Sequence, residues 1–382
     1  MEYKEIQSSK LKIAMIGHKQ IPSREGGIEI VVGELATRMA EQGNDITVYN
    51  RKIRHVSDKN MKVVKNENLE YKGVKIISVP TIDKRGLAAI SSSFFATLKA
   101  IFGHYDCIHY HAEGPSVMLI IPHLLKIRTV VTIHGLDWSR AKWGGFAVKY
   151  LKLGEKIAAK YADEIIVLSK NVQKYFKNTY ERDTVYISNG IEKPKKIKAE
   201  IITKKWGLIK NEYILFLGRI VPEKGLDYLI KAYKKVKTNK KLIIAGGSSD
   251  TDEFLKAIKE SAKDDSRIKF IGFVHGQELE ELYSNSYMYC LPSDIEGMPI
   301  SLLEAMSYGN CCLVSDIPEC AEVVEDRGVT FEKGNIEDLR EKMQSLCYNE
   351  KLVEEFKENA SDFICSKYNW DDVVEQTVPL YR

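Results

Sequence analysis

The sequence predicts an α/β protein made of two doubly wound, parallel-sheet domains in series, and three observations carry that prediction. Short continuous apolar runs alternate with longer amphipathic runs through almost all of the 382 residues. The alternation breaks at EKPKKIKAEIITKK (192–205) and begins afresh with YILFLGR. The length agrees, because one domain takes roughly 100–200 residues.

Apolar runs at 12–17, 45–50, 74–80, 107–111, 129–134, 164–169 and 185–188 read as strands of the first domain. Those at 213–218, 241–246, 268–272, 288–292 and 311–315 read as strands of the second. A strand covered on both faces shows no polar alternation, which is the mark of a parallel sheet between helices. Amphipathic runs at 29–42, 143–161, 225–237, 251–264, 277–284 and 300–308 supply such helices. The Lys-rich break contains Pro194 and keeps no clean period, so it reads as a connector. The expected organisation is a domain over 1–192, a linker over 193–205 and a domain over 206–368, with a last helix within 369–382.

Composition narrows the class. The hydrophobic fraction is 44%, enough for two real cores, and the net charge of +4 is too slight to argue for nucleic acid. Seven cysteines lie mostly in apolar runs, as in MYCLP and NCCLVSD, with no CxxC or Cys/His spacing suited to zinc. They read as free thiols of a reducing cytosol. The start, MEYKEIQSSK, lacks the apolar core of a signal peptide, and no apolar stretch approaches the ~20 residues of a spanning helix. The expected location is cytoplasmic, at most on a membrane surface.

Ligands of open α/β sheets bind beyond the carboxyl ends of the strands, so the motifs there matter most. The first strand ends at Gly17 and leads through IPSREGGIE to a helix. Gly26 and Gly27 either let backbone N–H groups approach a ligand or simply make a tight turn. The spacing is not GxGxxG, and the second strand ends in YNRK without an acidic residue, so an NAD-dependent oxidoreductase is disfavoured. TVVTIHG places His134 at a strand end, where it can meet a sugar hydroxyl or a reacting centre. His109 and His111 end the preceding strand, and His109 reads as a structural hydrogen-bonder.

The second half opens with LGRIVPEKGLDYLI. Arg219 and Lys224 on one strand–helix loop, with Gly218 and Gly225 freeing the backbone, suit a diphosphate. In SDIEGMPISLLEAMSYG, Gly297 and Pro299 force a turn before a helix whose first N–H groups, near Ile300, Ser301 and Leu302, form an anion site. Glu304 sits about one turn into that helix, in reach of a ribose diol, and Glu296 on the loop can bind sugar hydroxyls. Asp250-Thr251-Asp252 matches a DxD metal motif but reads as the cap of the following helix.

GRIVPEKG and the Glu296-x7-Glu304 segment, with the HG of the first domain and the IPSREGG loop, resemble the retaining glycosyltransferases of family 4. The resemblance runs almost end to end and implies the GT-B fold, two Rossmann-like domains facing each other across a cleft. The Gly17-x3-Ile21-Pro22-x3-Gly26-Gly27-x-Glu29 start is similar to a subgroup that builds bacterial capsule and cell-surface polysaccharide, rhamnosyltransferases included. The resemblance implies that Arg219 and Lys224 hold the donor diphosphate, Glu304 the ribose and Glu296 the donor sugar. It implies that N–H groups of Ile300, Ser301 and Leu302 cap the phosphates, that Gly26 and Gly27 complete the phosphate side, and that His134 faces the transferred sugar and acceptor. It further implies no metal or other cofactor, a last helix crossing back onto the first domain, and a front-face route in which the leaving phosphate oxygen accepts the acceptor's proton.

The expected reaction moves a hexose or deoxyhexose from a nucleotide-sugar (a UDP-sugar or dTDP-rhamnose) to a glycan or lipid-linked acceptor. A nucleotide-sugar epimerase or phosphorylase on the same fold, and a non-catalytic sugar-nucleotide-binding scaffold, are the competing readings. Arg140, Lys142, Trp143, Lys149, Tyr150, Lys152, Lys156 and Lys160 form a basic, aromatic stretch. It reads either as a rest against anionic lipid on the inner face of a membrane or as a solvated helix face.

Overall fold

The computed structural model describes residues 10–52, 68–84, 86–140, 144–248 and 252–382. The chain divides into two compact units, one holding the chain through Trp138, Gly145–Ser188 and Trp370–Arg382, the other Ser139–Gly144 and Asn189–Asn369.

The sheet of the first unit has eight strands: β1 (Lys12–Ile16), β2 (Asp45–Arg51), β3 (Asn68–Tyr71), β4 (Val74–Val79), β5 (Cys107–His111), β6 (Arg128–Ile133), β7 (Glu164–Val167) and β8 (Val185–Tyr186). Their order is β3-β4-β2-β1-β5-β6-β7-β8. Every pairing is parallel except β3 with β4, a hairpin closed by Lys72 and Gly73 at φ 47° and 77°. Two positive-φ residues in a two-residue loop give the turn that matches strand twist. The middle of this sheet is buried, in β1 as the apolar run Ile13–Ile16 and throughout β5, which carries two histidines among its apolar residues.

Helices α1 (Gly27–Glu41), α2 (Leu87–Ile101), α3 (Glu113–Ser116), α4 (Ile120–Leu124), α5 (Gly145–Tyr161) and α6 (Lys170–Tyr180) connect the strands. α2 escapes an amphipathic reading because its pattern is inverted. Ser92, Ser93 and Thr97 are buried while Phe94 and Phe95 are exposed. The Ser93 hydroxyl is satisfied by donating to the Ala89 carbonyl one turn back, at 2.7 Å.

In the second unit β9 (Tyr213–Leu217), β10 (Lys241–Ala245), β11 (Ile268–Gly272), β12 (Met288–Leu291), β13 (Cys311–Ser315) and β14 (Val329–Phe331) form an all-parallel sheet of order β11-β10-β9-β12-β13-β14. Around it lie α7 (Ile201–Trp206), α8 (Leu226–Tyr233), α9 (Asp252–Ala262), α10 (Gln277–Asn285), α11 (Ile300–Ser307), α12 (Pro318–Val324), α13 (Ile336–Tyr348) and α14 (Glu350–Lys367).

The stretch read as a connector is not a free tether. The buried Glu281 carboxylate of α10 accepts from the N–H groups of Glu200, Ile201 and Ile202 at 2.9, 2.7 and 3.0 Å, which caps α7. Asn285 holds the Ile197 carbonyl and Ser284 its N–H. After α14 the chain returns to the first unit as α15 (Trp370–Thr377) and a final turn, Val378–Tyr381. Arg38 of α1 pairs with Asp371 at 2.8 Å, Arg128 donates to the Leu380 carbonyl at 2.8 Å, and Tyr381 is buried.

Candidate active-site residues in the two units

In the second unit the chemistry gathers where β9 and β12 end. β9 runs into Gly218 and a half-buried Arg219, then Pro222–Lys224 makes a single 3-10 turn and Gly225, at φ 64°, opens α8. A β-carbon on Gly225 would stand 2.0 Å from the Pro292 carbonyl oxygen, so the loop lies directly on the end of β12. That packing carries Lys224 to Glu296. The Lys224 Nζ is 2.5 Å from Glu296 Oε1, with only 11% and 9% of the two side chains exposed. The same oxygen accepts from the Ser293 hydroxyl at 2.6 Å, and the Ser293 carbonyl is held by the Ser315 hydroxyl at 2.5 Å. Lysine and glutamate, assigned from sequence to different parts of a donor, neutralise one another in this structure.

Glu304 of α11 is 7% exposed, and its Oε2 accepts from the Tyr283 hydroxyl at 3.0 Å. The Tyr283 ring stacks on Tyr308, centroids 5.4 Å apart, which fixes the donor's direction. Tyr289 lies 2.9 Å from Ser301 Oγ and 3.2 Å from the Leu217 carbonyl. Having one proton, its hydroxyl donates to the carbonyl and accepts from the serine. At the start of α11, the N–H groups of Leu302 and Leu303 both donate to the Pro299 carbonyl. Leu302 N–H is thus used within the turn, and Ile300 and Ser301 precede the helix ladder.

Sequence reasoning passed over two features here. Tyr228 donates to Asp294 at 2.9 Å, tying α8 to the loop that carries Glu296. Glu223, beside Lys224, is 4% exposed, and neither of its carboxylate oxygens has a hydrogen-bond partner. A glutamate between proline and lysine gives no sequence signal of burial.

In the first unit, Gly17 has φ 126° and a β-carbon there would stand 2.2 Å from the His111 carbonyl oxygen, so the end of β1 is pressed against the end of β5. Gly26 caps α1, and Gly27 begins it. The loop between is organised by two side chains with no assigned role in the sequence reading. Glu29 accepts from Lys19 N–H at 2.9 Å. Asn50, at the end of β2, takes the Ile21 N–H on its oxygen at 3.0 Å and donates its amide to the Ile21 carbonyl at 2.9 Å. The visible signal was a single asparagine in an apolar strand.

His134, 8% exposed, meets His111 with Nε2 and Nδ1 3.0 Å apart. His109 behaves as the structural hydrogen-bonder the sequence suggested, bonded to Tyr381 at 2.8 Å and Thr132 at 2.7 Å. Burial is the main reason His18 is pushed down to about 4 and His109 to about 3, and burial also holds His111 well below the usual histidine range. These three rings are neutral at neutral pH.

Among the described residues, no group of three or more His, Cys, Asp and Glu is placed to hold a metal ion. Asp250 and Thr251 of the DxD stretch lie outside the described residues, while Asp252 opens α9 and takes the Ser248 hydroxyl. Lys142 and Trp143 also lie outside them. On α5, Lys149, Lys152, Lys156 and Lys160 are exposed and Tyr150 is half-buried. Among the described residues no helix is long and apolar enough to cross a membrane.

Comparison with known proteins agrees with this architecture. The family "Glycosyltransferase Family 4" matches residues 25–193, and "Glycosyl transferases group 1" matches residues 198–363. An uncharacterized glycosyltransferase of Methanocaldococcus jannaschii is 26% identical over 97% of this chain and 98% of its own. The N,N'-diacetylbacillosaminyl-diphospho-undecaprenol alpha-1,3-N-acetylgalactosaminyltransferase of Campylobacter jejuni is 24% identical over 59% of this chain and 62% of its own. Among solved structures, sucrose-phosphate synthase from Thermosynechococcus elongatus superposes with a TM-score of 0.83 at 20% identity, over 98% of each chain. Anabaena HepE, solved in complex with UDP and glucose, gives 0.78 at 17% identity, over 97% of this chain and 98% of that one. With a family 4 domain followed by a group 1 domain, the chain is a glycosyltransferase of the GT-B fold.

Proposed function

We propose that this glycosyltransferase moves a hexose or deoxyhexose, with retention of configuration, from a UDP-sugar or dTDP-rhamnose to a glycan or lipid-linked acceptor in cell-surface polysaccharide synthesis, capsule included. The observation that carries the donor assignment is the buried Lys224–Glu296 pair at the carboxyl end of β9 and β12. Lys224, poorly exposed and paired with Glu296 here, can turn its charge to a departing diphosphate as Glu296 engages the donor sugar. In this reading Arg219 and Lys224 take the phosphates, and Ile300 and Ser301 turn the positive end of α11 toward them, the Leu302 N–H being taken by the Pro299 carbonyl. Glu296 orients the donor sugar while sharing Lys224, and Glu304, steadied by Tyr283, takes the ribose diol. Gly26 and Gly27 offer N–H groups to phosphate, and His134 serves the transferred sugar and acceptor. The leaving phosphate oxygen accepts the acceptor's proton. Fixed cations and N–H groups meet the charge, so the proposal calls for no metal. Support for the donor and acceptor classes comes from HepE with UDP and glucose and from the relative acting on a diphospho-undecaprenol-linked sugar.

The proposal places the protein in the cytoplasm, against the anionic inner face of a membrane. α2 packs on α4 and α4 on α5. These helices and their ends expose Phe94, Phe95, Phe102, Leu124, Leu125 and Phe146. α5 also exposes Lys149, Lys152, Lys156 and Lys160, and the one acidic residue within the three helices, Glu155, is fully buried by Trp138, Tyr175 and Tyr180. Exposed apolar rings and lysines, with no exposed carboxylate in those helices, suit an anionic lipid surface. Liposome co-sedimentation should show binding that rises with anionic lipid; no binding at any composition overturns this part.

The donor test is a thermal-shift series with UDP, GDP, ADP, dTDP and their sugar conjugates. A ligand at a hundred times its dissociation constant adds ~2.7 kcal/mol. One nucleotide series should stabilise the protein, and Glu304→Ala should abolish the shift. Release of nucleotide that requires an acceptor then establishes transfer, and acceptor-independent turnover would point to the epimerase instead.

A further inference from the structure

Pro299 has no N–H, so hydrogen bonding can hold the Met298–Pro299 peptide only by the Met298 carbonyl. Asn189 takes that carbonyl. Its side-chain Nδ2 donates to it at 3.1 Å, and its backbone N–H donates to the Met298 sulfur at 3.0 Å. Both residues are buried, and both belong to the second unit. The amide cannot be turned over, because its oxygen would then face a carbonyl oxygen. Held this way, Asn189 Oδ1 is buried without a partner. A bare buried acceptor is costly, so an apolar side chain would fill the space better. What the amide contributes is its bond to Met298. Pro299 is the N-cap of α11, and its ring fixes φ at -74°. The peptide and the N-cap therefore move as one piece, and a hold on the carbonyl is a hold on the start of α11. Asn189 is also where the chain enters the second unit after Ser188. Two residues on, Ile191 pairs with Asn369, where the chain leaves it again.

We infer that Asn189 is a positioning residue for the proposed donor site: by holding the Met298 carbonyl it keeps the loop from Glu296 to Ser301 in the orientation that receives a nucleoside diphosphate sugar. This role rests on the duties proposed for Glu296, Ile300 and Ser301. Asn189 acts before the donor arrives. Its loss lowers the fraction of protein ready to bind and leaves the later chemistry alone.

The test compares wild type, Asn189→Ala and Asn189→Asp by amide hydrogen exchange of the free protein, calorimetric titration with UDP and dTDP, and steady-state kinetics. In Asn189→Ala the amides of Gly297, Met298, Ile300 and Ser301 should exchange faster, while those of β9 and β12 keep their protection. The nucleotide that binds the wild type should bind roughly tenfold more weakly, with donor KM raised to match and kcat little changed. Asn189→Asp should bind at least as weakly at about pH 8, and at about pH 6 the new carboxyl takes a proton, donates to Met298 and recovers affinity. Asn189→Ala should show no such recovery. Unchanged nucleotide affinity in Asn189→Ala, a fall in kcat alone, or loop exchange equal to that of the wild type overturns the inference. If Asn189→Ala does not fold, the pH response of Asn189→Asp decides it. Should neither nucleotide bind the wild type, the proposed donor falls, while the loop exchange still judges Asn189.

Discussion

The two units solve the burial of polar groups in opposite ways. In the second, Lys224 and Glu296 are buried as full charges that cancel each other. In the first, His18, His109 and His111 are buried as neutral rings whose nitrogens are shared with Asn50, Tyr381, Thr132 and His134. A buried charge stays useful only while its partner remains, and a neutral network stays useful only while no proton enters it. The first arrangement suits a site where a ligand can take one member of the pair and so release the charge of the other. The second suits one that must hold hydroxyls without exchanging charge with them.

Removing one charge should produce the largest effect. Lys224→Ala or Glu296→Ala leaves the other charge in a site about a tenth exposed. Each should lose about 3–5 kcal/mol of stability along with most transfer activity. The double variant Lys224→Met/Glu296→Leu should recover most of the stability and none of the activity. Urea unfolding of the four proteins measures this, and single variants as stable as the wild type would show that the pair is not an isolated buried couple.

Acid should break the neutral network next. His18 and His109 titrate near 4 and 3 when folded and near 6.5 when unfolded. Below 6.5 the unfolded chain binds protons that the folded chain refuses, so stability is full above that pH. It is lost as pH falls toward 4 and below. Two such rings imply a loss on the order of several kcal/mol, seen as a falling melting midpoint. His18→Gln should flatten part of the slope, and a slope unchanged by that substitution would remove His18 from the account.

A smaller effect is expected at Glu304, the carboxylate proposed to take the ribose. Tyr283→Phe deletes the donor 3.0 Å from Glu304 without changing the ring stack on Tyr308. The loss of one hydrogen bond to a charged group, about 1.5 kcal/mol, should weaken nucleotide binding roughly tenfold. Calorimetric titration checks it, and unchanged affinity would mean that Glu304 is held by other groups.

The sheets were legible because parallel strands buried on both faces are written as unbroken apolar runs, such as YILFL and CCLVS. What escaped lay at edges and in inverted patterns. β3 is four residues, paired antiparallel on one side of the sheet. β14 is three residues at the opposite end of the other sheet. α2 hides its serines and shows its phenylalanines. The strand-end positions of Arg219, Lys224, Glu296 and Glu304 were legible from Gly and Pro punctuation. Their pairing was not, because Lys224 meets Glu296 across a separation of 72 residues, through a backbone approach that depends on Gly225. Nor were Asn50 and His18, since a lone polar residue in a strand looks the same whether it braces a loop or faces solvent.

The return of Trp370–Arg382 to the first unit has a consequence for biogenesis. During translation, Ser188 leaves the ribosome about 180 residues before Trp370. At about 5–20 residues per second that interval is roughly 10–35 s. Throughout it, Arg38, Arg128 and His109 lack Asp371, the Leu380 carbonyl and the Tyr381 hydroxyl. The first unit therefore waits for its own last strokes while the second is synthesised in full, and a nascent chain halted before Trp370 presents chaperones with an unfinished surface around β5 and α1.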